Sequence, residues 1–139
     1  MISGISEMPI TDESYPFSSA ERYCHLSAKG YVEREYRVDG TANVYRTADE
    51  DGGVEVMTAD APYSNRIVVR APKDPAQASG NVVVEIINPT SFMEIERMWI
   101  LGYGEFVRSG DIYVGITSKP NTIAKLKEFN PDRYGFMSW

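Results

Sequence analysis

A single cysteine and a single histidine stand in 139 residues, and their scarcity removes several classes of protein at once. One cysteine closes no internal disulfide, which excludes a small secreted domain stapled by them. Neither Cys24 nor His25 has metal-ligand spacing to another such residue, so no metal and no cofactor is expected. No window approaches the roughly 18 apolar residues of a membrane span. The opening Met1-Ile2-Ser3-Gly4-Ile5-Ser6-Glu7 has neither the basic start nor the apolar core of a signal peptide, so the expected setting is the cytoplasm. Basic side chains are few and scattered: 14 Lys and Arg against 20 Asp and Glu give a net charge of −6, which argues against a nucleic-acid partner. The G-x-S-x-G frame of a nucleophile elbow is missing too. Its nearest approach, Gly115-Ile116-Thr117-Ser118-Lys119, has threonine where serine belongs and lysine in place of the second glycine.

What is present reads as one folded domain, since a chain of this length buries a real core and its 42% hydrophobic content is ordinary. Residues 1–29 are rich in Ser, Pro, Glu and Asp, with Tyr15, Phe17 and Tyr23 isolated among them. They are expected to form an arm laid over a surface. From residue 30 the pattern changes. Tyr31, Glu33, Glu35 and Arg37 alternate with Val32, Arg34, Tyr36 and Val38, the repeat of a strand with one wetter face. Asp39-Gly40 then predicts a tight turn, with residues 42–46 returning antiparallel. Residues 65–70 form another β-rich run. Residues 82–87 make the most apolar strand, expected to be covered on both faces. Ser91 with Glu94 fits a capping box, and Phe92, Ile95, Trp99, Tyr103 and Phe106 recur at helical spacing, predicting a helix over 91–109 that stops at Gly110. Residues 111–117 alternate again as a strand, parallel to the one before the helix. A short helix follows from Asn121 or Thr122 to about Phe129, and Asn130-Pro131-Asp132 predicts a turn. The fold class is α/β: a mixed sheet with an amino-terminal antiparallel hairpin followed by a β-α-β unit. One helix covers one face of such a sheet, and the other face needs a cover.

Few residues offer chemistry. Cys24 and His25 are neighbours in the chain, a poor geometry for a nucleophile and its base. Asp49-Glu50-Asp51-Gly52-Gly53 reads either as a solvated hairpin end or as a calcium loop without its last ligand. Glu85 interrupts an apolar strand, where a carboxylate demands a partner; it is a polar contact within the sheet layers or, as the lesser reading, a catalytic acid. The junction after that strand, Asn88-Pro89-Thr90-Ser91, is the remaining candidate. Backbone N–H groups at a helix start suit a negative oxygen, and because Pro89 has none, Thr90 and Ser91 are the nearest donors. An ordinary capped helix makes the same pattern.

Several phrases, in order, carry a resemblance across nearly the whole chain: Gly30-Tyr31-Val32-Glu33, Gly40-Thr41-Ala42-Asn43-Val44-Tyr45, Pro62-Tyr63 with Arg66-Ile67, Val82-Val83-Val84-Glu85 with Asn88, Arg108-Ser109-Gly110, Tyr113-Val114-Gly115 and Pro131-Asp132-Arg133-Tyr134-Gly135. Together they resemble the amino-terminal part of the alpha/beta hydrolase domain proteins, of the α/β-hydrolase superfamily. The resemblance implies a partial α/β-hydrolase fold over residues 30–139. It also implies that the loop holding Asn88, Thr90 and Ser91 contributes to an oxyanion hole, and that the nucleophile, acid and histidine lie downstream of Trp139. The expected substrate is a small carboxylic ester or related acyl compound, and the chain alone is expected to be inactive. The alternative is a non-catalytic binding or assembly module that dimerises, or captures a complementing chain, through an exposed sheet.

Overall fold

The structure is a computed structural model that describes residues 1–11, 14, 20–48 and 52–138, with Ser91 by its backbone alone. Tyr15, Phe17, the acidic Asp49-Glu50-Asp51 and the expected capping side chain of Ser91 lie outside the described residues. The first described element is a strand, β1 (Ile2–Met8), drawn from the expected arm. A short helix, α1 (Ala20–Cys24), and a 3-10 turn (Leu26–Lys29) follow, burying Ala20, Cys24 and Leu26. The alternation that begins at Tyr31 does not turn at Asp39-Gly40. It continues as one 17-residue strand, β2 (Tyr31–Thr47), and the chain returns as the 19-residue β3 (Val54–Pro72). Gly40 sits in mid-strand opposite Tyr63. The glycine is there for close approach rather than for a turn: a Cβ would strike the Met1 carbonyl oxygen and stand 2.7 Å from the Tyr63 hydroxyl.

Strand β4 (Val82–Ile86) forms as expected but is not covered on both faces. With the later strand β5 (Ile112–Ile116) the sheet order is β1-β2-β3-β5-β4, so β4 is an edge strand, and Val82, Val84 and Ile86 are 55%, 59% and 73% exposed. The following helix also starts later than its periodicity predicts. A 3-10 turn (Thr90–Phe92) comes first, then Phe92 adopts φ 58° and Met93 is extended, so α2 spans Arg97–Ser109. Its end matches expectation: Gly110 closes it at φ 80°, where a Cβ would also strike the Gln77 carbonyl. Strand β5 (Ile112–Ile116) pairs parallel with β4 and antiparallel with β3, completing the β-α-β unit. Helix α3 (Pro120–Phe129) follows. Where a turn was expected there is one turn of helix, α4 (Pro131–Tyr134), capped by the Asn130 side chain, which accepts the Arg133 N–H at 2.9 Å.

The two faces of the sheet differ in an unexpected sense. Glu33, Glu35, Arg66, Val68, Arg70 and Tyr113 share the covered face, although Glu33 and Glu35 belong to the pattern that looked wetter. Trp99 of α2 packs there on Tyr113 with ring centroids 5.1 Å apart, and Tyr134 of α4 donates to Glu35 at 3.0 Å. The opposite face carries Ile67, Val69, Ile112, Val114 and Ile116 beside the exposed side chains of β4. These central residues are half-buried by one another, and the face as a whole is open.

The close approach at Gly40 gives a direct test. Gly40→Ala is expected to lower stability by about 1–3 kcal/mol in chemical denaturation. It should also speed amide exchange at Thr41, whose N–H donates to the Met1 carbonyl at 2.8 Å. Unchanged stability and exchange would show that β1 does not depend on that contact.

Candidate functional site

Because β4 and β5 are parallel, their carboxyl ends share one rim of the sheet. Two segments leave it, residues 87–96 from β4 and 117–119 from β5. They are tied together: the Ser118 hydroxyl donates to the Ile87 carbonyl at 2.7 Å, and the Asn121 amide to that of Pro89 at 3.4 Å. Asn88 and Ile95 then form an isolated antiparallel bridge, with the Ile95 N–H donating to Asn88 at 2.9 Å and the reverse bond at 3.3 Å. Between them the chain makes a closed loop around its 3-10 turn.

The structure brings the sequence candidates Asn88 and Thr90 together inside this loop. The Asn88 side-chain oxygen accepts the Thr90 N–H at 2.8 Å and the Thr90 hydroxyl as well, an Asx turn. Pro89 has no N–H, and the N–H of Asn88 is held by Ile95. Ser91 follows within the 3-10 turn. Both rim segments also carry a non-glycine residue in positive φ, Phe92 at 58° and Lys119 at 71°. Such conformations hold of order 1–3 kcal/mol of strain each and gather at functional sites.

The start of α2 lies elsewhere and is already filled. Glu85, from the covered face of β4, accepts the N–H groups of Met98 at 3.1 Å and Trp99 at 3.4 Å, and the Tyr113 hydroxyl at 2.7 Å. A carboxylate on first-turn donors is what the helix dipole favours. Glu85 is therefore the polar contact between layers that its apolar strand demanded, and the positive end of α2 is not open to a substrate. Burial, then the bond to Glu85, pushes the Tyr113 phenol far up. Cys24 and His25 do not assemble as a pair: Cys24 is buried and His25 exposed. Burial pushes the Cys24 thiol up, away from an activated thiolate.

Sequence reasoning missed the largest polar feature. Arg66 is 2% exposed and lies between Glu35 and Glu94, with its Nη1 donating to the Thr117 hydroxyl at 3.2 Å. The Thr117 hydroxyl in turn donates to Glu94, and Arg133 donates to Glu35. Arg70, 1% exposed, lies between Glu33 and Glu96 and stacks over the Trp99 ring at 4.6 Å. Same-face spacing was the available signal: Glu33 and Glu35, Arg66 and Arg70, Glu94 and Glu96 are each an even number of residues apart. Burial alone would raise the Glu35 carboxyl, but Arg66 and Arg133 outweigh it and hold the group below its ordinary range. At Glu96 burial wins over Arg70, and its carboxyl is raised.

A mixed sheet of five strands with helices on it defines the α/β class. Residues 6–139 match the model of the alpha/beta hydrolase domain family, and the chain belongs to that family. No curated protein and no solved structure matches it. Among the described residues no helix is long and apolar enough to cross a membrane, and no three His, Cys, Asp or Glu are grouped to hold a metal ion.

The depressed Glu35 carboxyl carries a sign for stability. Its contribution is complete above the unfolded value, about 4.3, and is lost as pH falls through the lower folded value. Glu96, raised, acts in the opposite sense, so a single-site variant is needed. Glu35→Gln is expected to cost about 3–5 kcal/mol near neutral pH, because Arg66 and Arg133 each lose a carboxylate partner. Its denaturation free energy should then fall less on acidification below about pH 4 than that of the parent. Parallel curves for the two proteins would remove Glu35 as a source of acid lability.

Proposed function

We propose that this chain supplies the oxyanion-hole side of a carboxylic-ester or related acyl hydrolase, with nucleophile and base contributed by residues outside these 139. Membership of the hydrolase family supports the reaction class. The observation that carries the proposal is the place of the 88–91 turn: it stands on the carboxyl rim immediately after β4, and β4 is the edge of the sheet. A strand added parallel to that edge would bring its own carboxyl end, and a nucleophile on it, to the same rim.

Asn88 has a positioning role in this reading. Its neutral amide oxygen holds the Thr90 N–H in place, and a developing oxyanion, a stronger acceptor, takes over that donor together with the N–H of Ser91. Without an attacking group such a pocket achieves little, so the chain alone is inactive. The cytoplasm suits the lone Cys24, which stays reduced there. A second reading, a non-catalytic assembly module, draws on the same open face. Val82, Val84 and Ile86 offer an apolar surface and an unpaired edge to a second copy or a complementing chain.

Two measurements separate the readings. Alone, the chain is expected neither to hydrolyse 4-nitrophenyl acetate nor to be labelled by a serine-directed fluorophosphonate. Coexpressed with a segment of the same family that carries a G-x-S-x-G elbow, it should gain both properties, and Asn88→Ala should lower kcat by about 10- to 100-fold, less than loss of a direct donor. Silence of the combined chains overturns the hydrolase reading, while a monodisperse monomer in light scattering removes assembly through a second copy.

A further inference from the structure

The pairing of β2 with β3 outlasts the rest of the sheet. β3 meets β5 from Ile67↔Ile116 to Arg70↔Tyr113, and the last β2 residue paired with β1 is Gly40. Beyond these points the two long strands continue as a ribbon, paired as far as Thr47↔Val54. Since β3 runs antiparallel to β5, its residues before Ile67 lie past Ile116. The ribbon therefore projects from the same carboxyl rim that carries the 88–91 turn.

At the base of the ribbon is a cavity of about 360 Å³, walled by Ala42, Asn43, Val44, Ala61, Pro62, Tyr63 and Asn65. That volume is within the range of small-molecule sites, roughly 300–1,000 Å³. Its local cause is a cross-strand pair of two small side chains, Ala42 opposite Ala61, next to the tall Tyr63 opposite Gly40. Ala61, Tyr63 and Asn65 alternate in step with Ile67 and Val69, so the recess opens on the uncovered face of the sheet. Among the described residues no Asp, Glu, Lys or Arg lines it. An occupant must be uncharged and largely apolar.

The recess is joined to the rim. The Asn65 amide donates to the Thr117 carbonyl at 3.0 Å while its oxygen accepts the Arg66 N–H at 2.8 Å, which fixes the side chain at the mouth. From β3 across β5 to β4 are two strand spacings, about 10 Å sideways, and Asn65 stands two residues, about 7 Å, past Ile67↔Ile116 along β3. We propose that this recess binds the aliphatic group of the ester whose carbonyl lies at the 88–91 turn, an acyl or alkoxy chain long enough to cross that distance. The ester rests on the hydrolase reading; the preference for an uncharged aliphatic chain rests on the recess alone.

The test is therefore binding by the 139-residue chain, which needs no turnover. Methyl octanoate titrated into labelled protein is expected to give saturable NMR shifts at the Ala42 and Ala61 methyls, with methyl acetate giving none. Ala61→Leu fills the recess and should weaken binding at least tenfold, and Ala42→Leu should do the same from the other strand. Absence of shifts, shifts confined to Val84 and Ile86, or unchanged affinity in both variants overturns the proposal. Failure of the hydrolase reading shows up instead as silent coexpressed chains whose methyl shifts persist.

Discussion

The burial of two arginines on β3 is the constraint from which the rest of this structure follows. Arg66 and Arg70 leave water almost completely, and each is flanked by two carboxylates, one from β2 and one from the connection between β4 and α2. Removing such groups from solvent costs several kcal/mol per ion, so the network adds little net stability over an apolar core. Its effect is directional. A slip of β3 by one residue would turn Arg66 and Arg70 to the open face, away from Glu33 and Glu35, and bring Ile67 and Val69 inward. Both faces of these strands carry apolar residues, so hydrophobic alternation alone specifies the pairing weakly. The buried charges set the register along 17- and 19-residue strands that hydrophobicity would leave ambiguous.

The same ions shape the candidate site. Glu94 and Glu96 hold the far end of the connection against β3, while Asn88 starts it at the rim. Chain pinned at both ends, with a bridge from Asn88 to Ile95, closes into a turn rather than winding directly into helix. The positive φ of Phe92 is where that closure concentrates its strain. Thr117 ties the second rim segment into the network through Glu94 and Arg66. The geometry of the 88–91 turn is thus set by groups on the covered face of the sheet.

Elements specified by local chemistry were legible in the sequence. The parallel strand pair, the stop at Gly110 and the need of Glu85 for a partner all followed from a few adjacent residues. Where a residue served a distant neighbour, the reading failed. Asp39-Gly40 has the composition of a turn, but its glycine makes room for Met1 and Tyr63. Ser91 and Glu94 have capping spacing, yet Glu94 is committed to Arg66. Tyr31, Glu33, Glu35 and Arg37 looked like the wetter face because charge ordinarily marks solvent. The arginines that Glu33 and Glu35 meet lie 37 and 31 residues away in sequence, and no local period reveals them.

The sheet consequently has charge inside and grease outside. This inversion separates two jobs that most domains combine. The covered face, with its buried apolar clusters and directed ion pairs, holds the far end of the rim connection. The apolar face and the free edge of β4 remain available, and covering them would add about 25 cal/mol for each Å² of apolar surface buried. A covering strand would therefore meet a turn already closed and strained into shape. Under the proposed function, donors set before an attacking group arrives would require little reorganisation during reaction, the condition under which backbone N–H groups stabilise charge most effectively.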